Sequence, residues 1–118
     1  MPHVHANRVT IPVPGGKVIE ELVGAASTSN RDISIAHMTA PAGWTEPFQT
    51  PDFEEYTVVL RGCVTVECDG VVLECHAGQT VVTRPGERIR YGVGPDGAEY
   101  IAICIPAFTP EAVHREQE

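Results

Sequence analysis

The side chains that move protons or hold metals near neutral pH are scattered along this chain rather than grouped. Cys63, Cys68, Cys75 and Cys104 form no CxxC pair and have no paired histidines beside them, which argues against a structural zinc site. Their even number permits disulfides; the reduced state, with each thiol packed as a small hydrophobe, is the expectation without a secretory signal. His3 and His5 have the spacing of a metal pair, but they fall in a polar N-terminal stretch read as mobile. His114 is read as a surface residue. His37 stands in a segment of alternating polarity, where it is either a proton-transfer group or a satisfied packing residue. No Ser-His-Asp arrangement, phosphate loop or cofactor fingerprint is present.

The elements that must position these groups are short strands. Glycine (11) and proline (10) interrupt the 118 residues at frequent intervals, and the apolar residues between them mostly alternate, which predicts an all-β sandwich or barrel. Strands are expected over Arg8–Val13, Lys17–Val23, Asp32–Thr39, Glu54–Leu60, Gly78–Thr83, Ile89–Val93 and Tyr100–Ile105. The second of these could also form a helical turn. On Asp32–Thr39, Ile33, Ile35, His37 and Thr39 share one face, with Ser34, Ala36 and Met38 on the other. Asp69-Gly70 between two alternating segments predicts a two-residue hairpin turn with Cys68 facing Val71, Val66 facing Leu73 and Val64 facing Cys75. Breaks are expected at Arg61-Gly62 and at Gly94-Pro95-Asp96-Gly97. A short helix over Glu111–Glu116, capped by Thr109 with Pro110 at its first position, ends the reading.

Length bounds the chain to one domain over 1–118. The 42% apolar content contains no run long enough for a membrane helix, and the polar start has no apolar signal-peptide core, so the cytoplasm is the expected compartment. Sixteen acidic against eight basic residues give a formal charge of −8. A field of that sign repels phosphate backbones and anionic headgroups, so neither nucleic acid nor a membrane surface is expected as a partner.

Two segments carry a resemblance. Gly43 is followed after five residues by Gln49-Thr50-Pro51, then after three by Glu55 and after six by Gly62. Gly78 leads to Arg84-Pro85-Gly86, with Ile89 and Val93 at the next two diagnostic positions. Over about residues 30–106 this spacing resembles the two motifs of a small single-domain cupin, an RmlC-like jelly roll. The resemblance implies a closed β-barrel (a double-stranded β-helix) with an inward-facing pocket and a short helical C-terminal segment. Metal-bearing cupins hold their ion with three histidines and the glutamate. Here Gln49, Pro51 and Ile89 occupy the histidine slots and Glu55 alone remains, so no metal and no other cofactor is expected.

From that resemblance Glu55 points into the barrel, where it is either a proton-transfer group poised by desolvation or a vestige satisfied by Gln49, Arg84 or Arg90. Tyr91 and Thr57 share its pocket by strand parity. Trp44, Phe48 and Phe53, at the barrel mouth, either stack on a ligand or cap the core. The expected function is a metal-independent lyase, dehydratase, isomerase or epimerase acting on a small polar or sugar-like carbonyl compound. Glu55, Tyr91 and His37 would be catalytic, and Gln49, Thr57, Trp44, Phe48 and Arg90 would bind substrate. The alternatives are a non-catalytic metabolite-binding barrel, and an oxygenase with an unusual metal set such as His37, Glu46 and Glu55. Many cupins pair through their sheets, so a homodimer is left open.

Overall fold

The computed structural model describes residues 1–117. Its strands are β1 (Val9–Ile11), β2 (Val18–Val23), β3 (Ser34–Ala40), β4 (Glu54–Cys68), β5 (Val71–His76), β6 (Thr80–Thr83) and β7 (Arg90–Ile105). All pair antiparallel in the order β1-β2-β3-β7-β4-β5, with β6 also on β4. The all-β barrel expected from the strand rhythm is the fold observed.

Two long strands roll the sheet up. The first part of β4 pairs with β6 and with the end of β7, through Glu55↔Thr83 and Glu55↔Cys104. Its last part pairs with β5 and with the start of β7, through Val64↔Cys75 and Val66↔Tyr91. The breaks expected at Arg61-Gly62 and at Gly94–Gly97 are therefore corrected: both lie inside continuous strands. They are bends. Gly62 pairs with Ala98, and the β4–β7 register shifts on either side of it. Gly62 and Gly97 both have positive φ, +79° and +72°, and a Cβ on Gly62 would run into the Gly97 carbonyl. Glycine is required there because the two backbones touch where they bend together.

The Asp69-Gly70 hairpin has the expected register, and both turn residues take positive φ (52° and 77°), the geometry that matches strand twist. Residues 18–23 form a strand against β3 rather than a helical turn. The C-terminal helix, α1 (Pro110–Val113), is shorter than expected because His114 turns left-handed (φ 52°) and ends it; Thr109 caps it by accepting the Ala112 N–H. Beyond it the chain runs extended, with Arg115 bridged to Gln49 and the Glu116 N–H donating to the Phe48 carbonyl at 2.8 Å. With the Asp52 N–H donating to the Ala112 carbonyl at 2.9 Å, these bonds fasten residues 108–116 across one side of the barrel as a strap.

Apolar side chains pack in two clusters. The larger, around Val59, Val64, Val66, Ile89, Val93 and Tyr100, fills one half of the barrel; Phe53, Cys104 and Val113 form the other, with Phe108 against them. Cys63, Cys68, Cys75 and Cys104 are free thiols. Among the described residues no helix is long and apolar enough to cross a membrane.

Candidate functional site

Between the two clusters lies a cavity of about 250 Å³. Its wall comes from alternate residues of three neighbouring strands: Ile19 and Glu21 of β2, Ser34, Ala36 and Met38 of β3, and Tyr100, Ala102 and Cys104 of β7. β4 contributes Glu55, the start of β7 contributes Tyr91, and residues 46–53 contribute Glu46, Gln49 and Phe53. The strap closes one side with Phe108, Pro110, Val113 and Arg115.

Glu55 is buried at the floor because β4 places it opposite Thr83 on one side and Cys104 on the other. Cys104 and Tyr91 are its hydrogen-bonding side chains. Tyr91 Oη also meets Thr83 Oγ1 at 2.8 Å, so Thr83, Tyr91, Glu55 and Cys104 form one buried chain of polar groups. Burial pushes the Glu55 carboxyl up to about 7, and Glu46 adds to the shift while Lys17 opposes it. Burial also raises the Tyr91 and Cys104 hydroxyl and thiol well above their ordinary ranges, with Glu55 reinforcing both.

At the level of the opening sit Lys17, Glu46 and Arg115. Lys17 follows the Pro14-Gly15-Gly16 turn and points inward. Its Nζ lies 4.2 Å from the centre of the Trp44 ring and 5.6 Å from that of Tyr100, a cation held over aromatic faces. Burial lowers the Lys17 pKa, against the opposing pull of Glu46 and Glu55. Burial raises that of Glu46, against Lys17 and Arg115, whose guanidinium lies 3.6 Å from the Glu46 carboxylate. Gln49 is 4% exposed and lines the cavity, and its Oε1 has no hydrogen-bond partner among the described residues.

Glu55, Tyr91, Gln49 and Phe53 thus converge on the cavity, while Trp44 lines a neighbouring pocket that shares Lys17, Glu46 and Arg115 with it. The remaining candidates do not. His37 lies on the opposite face of β3 from the cavity-lining Ala36 and Met38, bonded to Glu99 at 2.7 Å, and its expected catalytic place is corrected. Thr57 is buried beneath the cavity rather than lining it. Phe48 and Arg90 stack on each other outside it, with Arg88 over the same ring and Arg90 paired to Glu67 at 2.7 Å. Arg84 pairs with Glu54 instead, and the side chains that hydrogen-bond Glu55 are Cys104 and Tyr91.

Lys17, Arg115, Tyr100 and Cys104 escaped the sequence reading. One signal was available: Lys17 is the only lysine in the chain. The residues around Glu55 do not fit a resident transition metal. Gln49 and Ile89 face each other directly across a bridge at two histidine slots, offering one amide and one hydrocarbon. Cys104 is held as a neutral thiol, and Lys17 supplies a competing cation. Among the described residues no three His, Cys, Asp or Glu side chains gather, and the set His37, Glu46 and Glu55 is split across the sheet.

The architecture is that of the RmlC-like cupin barrels. An RmlC-like cupin from Shewanella frigidimarina superposes with a TM-score of 0.73 at 18% identity, over 91% of this chain and 93% of that one. Streptomyces PAC13, solved with uridine, superposes with a TM-score of 0.77 at 12% identity, over 99% and 90%. No family model matches the sequence. A protein of Myxococcus xanthus named Endoribonuclease YbeY is 44% identical over 107 residues, covering 90% of this chain and 36% of that protein. The chain therefore spans about a third of the length of this relative. The name of that relative corrects two expectations. A metal-independent small-molecule enzyme, with its metabolite-binding and oxygenase alternatives, conflicts with a relative named for cutting RNA. So does the exclusion of nucleic acid from the partners.

Proposed function

We propose that this chain is an RNA-binding barrel that serves an endoribonuclease, and that its cavity takes up one unstacked nucleotide of a single-stranded segment. The observation that carries the reading is the 44% identity, across nine-tenths of this chain, to a protein named as an endoribonuclease. Single-stranded RNA is read by splaying out bases, stacking them on aromatic side chains and hydrogen-bonding their edges. The cavity offers each of these contacts. Met38, Phe53 and Phe108 give apolar wall, Tyr100 gives an aromatic one, the free Gln49 Oε1 accepts from a base N–H, and Lys17 and Arg115 supply positive charge. A barrel of the same fold has been solved with a nucleoside, uridine. With Gln49 and Ile89 in the histidine slots, the contacts to RNA are hydrogen bonds, stacking and ion pairs. The reading places the protein in the cytoplasm, where its thiols stay reduced.

The net charge of −8 limits the electrostatic share of binding. With Lys17 and Arg115 as the cations lining the cavity among the described residues, the logarithm of affinity should fall with the logarithm of salt at a slope of about −1 to −2. Titration of an internally labelled short oligouridylate by fluorescence anisotropy should show saturable binding with that slope. Amide shifts should concentrate at Gln49, Tyr91 and Tyr100. Failure of every oligoribonucleotide to bind, or shifts confined to the outer surface, would remove the reading.

A further inference from the structure

We propose that the base taken into the cavity carries an amino group beside a ring nitrogen that bears no hydrogen, the edge of cytosine or adenine. The oxo edge of uracil is the one it disfavours. This rests on the RNA-binding reading above and adds a specificity to it.

The cavity is richer in acceptors than in donors. Glu21, Glu46, Glu55 and Gln49 line it, against Lys17 and Arg115 as its cations among the described residues. The donors at the floor are already engaged with one another. The Cys104 thiol and the Tyr91 hydroxyl bond Glu55, and Ser34 bonds Cys104 while its Oγ accepts the Phe108 N–H at 2.9 Å. Two of the four acceptors are also answered within the chain. Glu21 Oε2 accepts the Ala26 and Ser27 N–H groups at 3.1 and 2.7 Å, and Glu46 faces the Arg115 guanidinium at 3.6 Å. Gln49 and Glu55 are left for the guest.

Gln49 Oε1 asks for a donor. The residue is 4% exposed, and this oxygen has no partner among the described residues. Its backbone is fixed by two bonds to Ile89, at 2.8 and 2.9 Å, so the side chain has a firm base. A buried carbonyl without a partner is costly, and an amino N–H of the guest removes that cost. An oxo group in the same place would set two acceptors face to face.

Glu55 asks for an acceptor. Cys104 and Tyr91 are its bonding side chains, and burial keeps its carboxyl protonated up to about 7. A neutral carboxyl that already receives a thiol and a hydroxyl has its own O–H left to give. A ring nitrogen without hydrogen takes that proton in a hydrogen bond, whereas uracil presents an N–H at the corresponding position. The rest of the strand has a way out through the adjoining pocket. It shares Lys17, Glu46 and Arg115 and runs past the exposed Pro14 and Gly15.

The test uses the full chain and labelled hexauridylates whose central residue is uridine, cytidine, adenosine or inosine. It is run at about pH 6, below the value of about 7 at which Glu55 ionises. Cytidine over uridine, or adenosine over inosine, should gain at least about tenfold in affinity by fluorescence anisotropy. Each pair exchanges the amino edge for an oxo edge, and the pair that responds identifies the base. Gln49→Leu should erase the gain, and Gln49→Glu, which keeps an acceptor, should retain it. A gain that survives Gln49→Leu would overturn the role given to that oxygen. The comparison within the parent protein decides the rest without any variant. Uridine and inosine binding as tightly as cytidine and adenosine would overturn the specificity and leave the RNA-binding reading standing. Absence of binding by all four would overturn both.

Discussion

The two halves of the barrel interior are built from the same strands and solve opposite problems. On the side of β5 and the start of β7, Val59, Val64, Val66, Ile89 and Val93 fill the space with hydrocarbon. On the side of β2, β3 and the end of β7, the same inward alternation delivers Glu21, Met38, Ala102 and Cys104 around an open volume, with Glu55 added from β4. Dispersion and burial hold the filled half together, whereas the open half keeps ionisable groups in a poorly solvated place. Stability is thus concentrated in one half and binding capacity in the other, and each can be broken separately.

The largest effect is expected where both halves hang on one point. Gly62→Ala puts a methyl group against the Gly97 carbonyl at a positive-φ position and should destabilise the fold by about 3 kcal/mol or more in urea unfolding. A loss below about 1 kcal/mol would mean that the bend of β4 and β7 is adaptable.

The next concerns the open half and pH. Glu55 ionises with a pKa of about 7 in the fold against an ordinary 4.5, so the unfolded chain releases this proton more readily than the native one. The native state binds more protons between these values, and stability falls as pH rises through that window: the contribution is unimpaired below about pH 4.5 and fully lost above about 7. The difference amounts to about 3 kcal/mol at most. Glu55→Gln should flatten that part of the stability–pH curve, measured by urea unfolding at steps from acid to mildly alkaline pH. Parallel curves for the two proteins would show that the carboxyl is not strained.

A paired truncation sharpens the contrast between halves. Val59→Ala should cost about 2 kcal/mol because it empties a filled site, whereas Met38→Ala, at a wall that already borders open space, should cost about 1 kcal/mol. Equal costs would mean that the cavity wall is packed as rigidly as the filled half.

Legibility in the sequence followed how local each signal was. The Asp69-Gly70 hairpin and its register were readable because two residues dictate a turn and alternation dictates the rest. The faces of β3 were readable too, but which face looked inward was not: His37 and Met38 exchange places on a decision made by packing of β7 and β2. Gly62 and Gly97 read as turns because the reason for them, two backbones in contact, is not local. Glu55, Gln49 and Tyr91 were found through motif spacing. Lys17 and Arg115 were missed because they come from opposite ends of the chain and meet only after the barrel has closed. Net charge misled most: a total of −8 does not say that Lys17 and Arg115 both line the cavity.

The strap has a consequence of its own. Val113 and Arg115 form part of the cavity wall, and their segment is held to residues 48–52 by a few backbone bonds and by the His114–Asp52 contact at 2.7 Å. Any guest touching those two side chains therefore also clamps the tail to the body. Occupancy becomes readable from outside, as slower deuterium uptake at the Asp52 and Glu116 amides and slower trimming by carboxypeptidase, without knowing what the guest is.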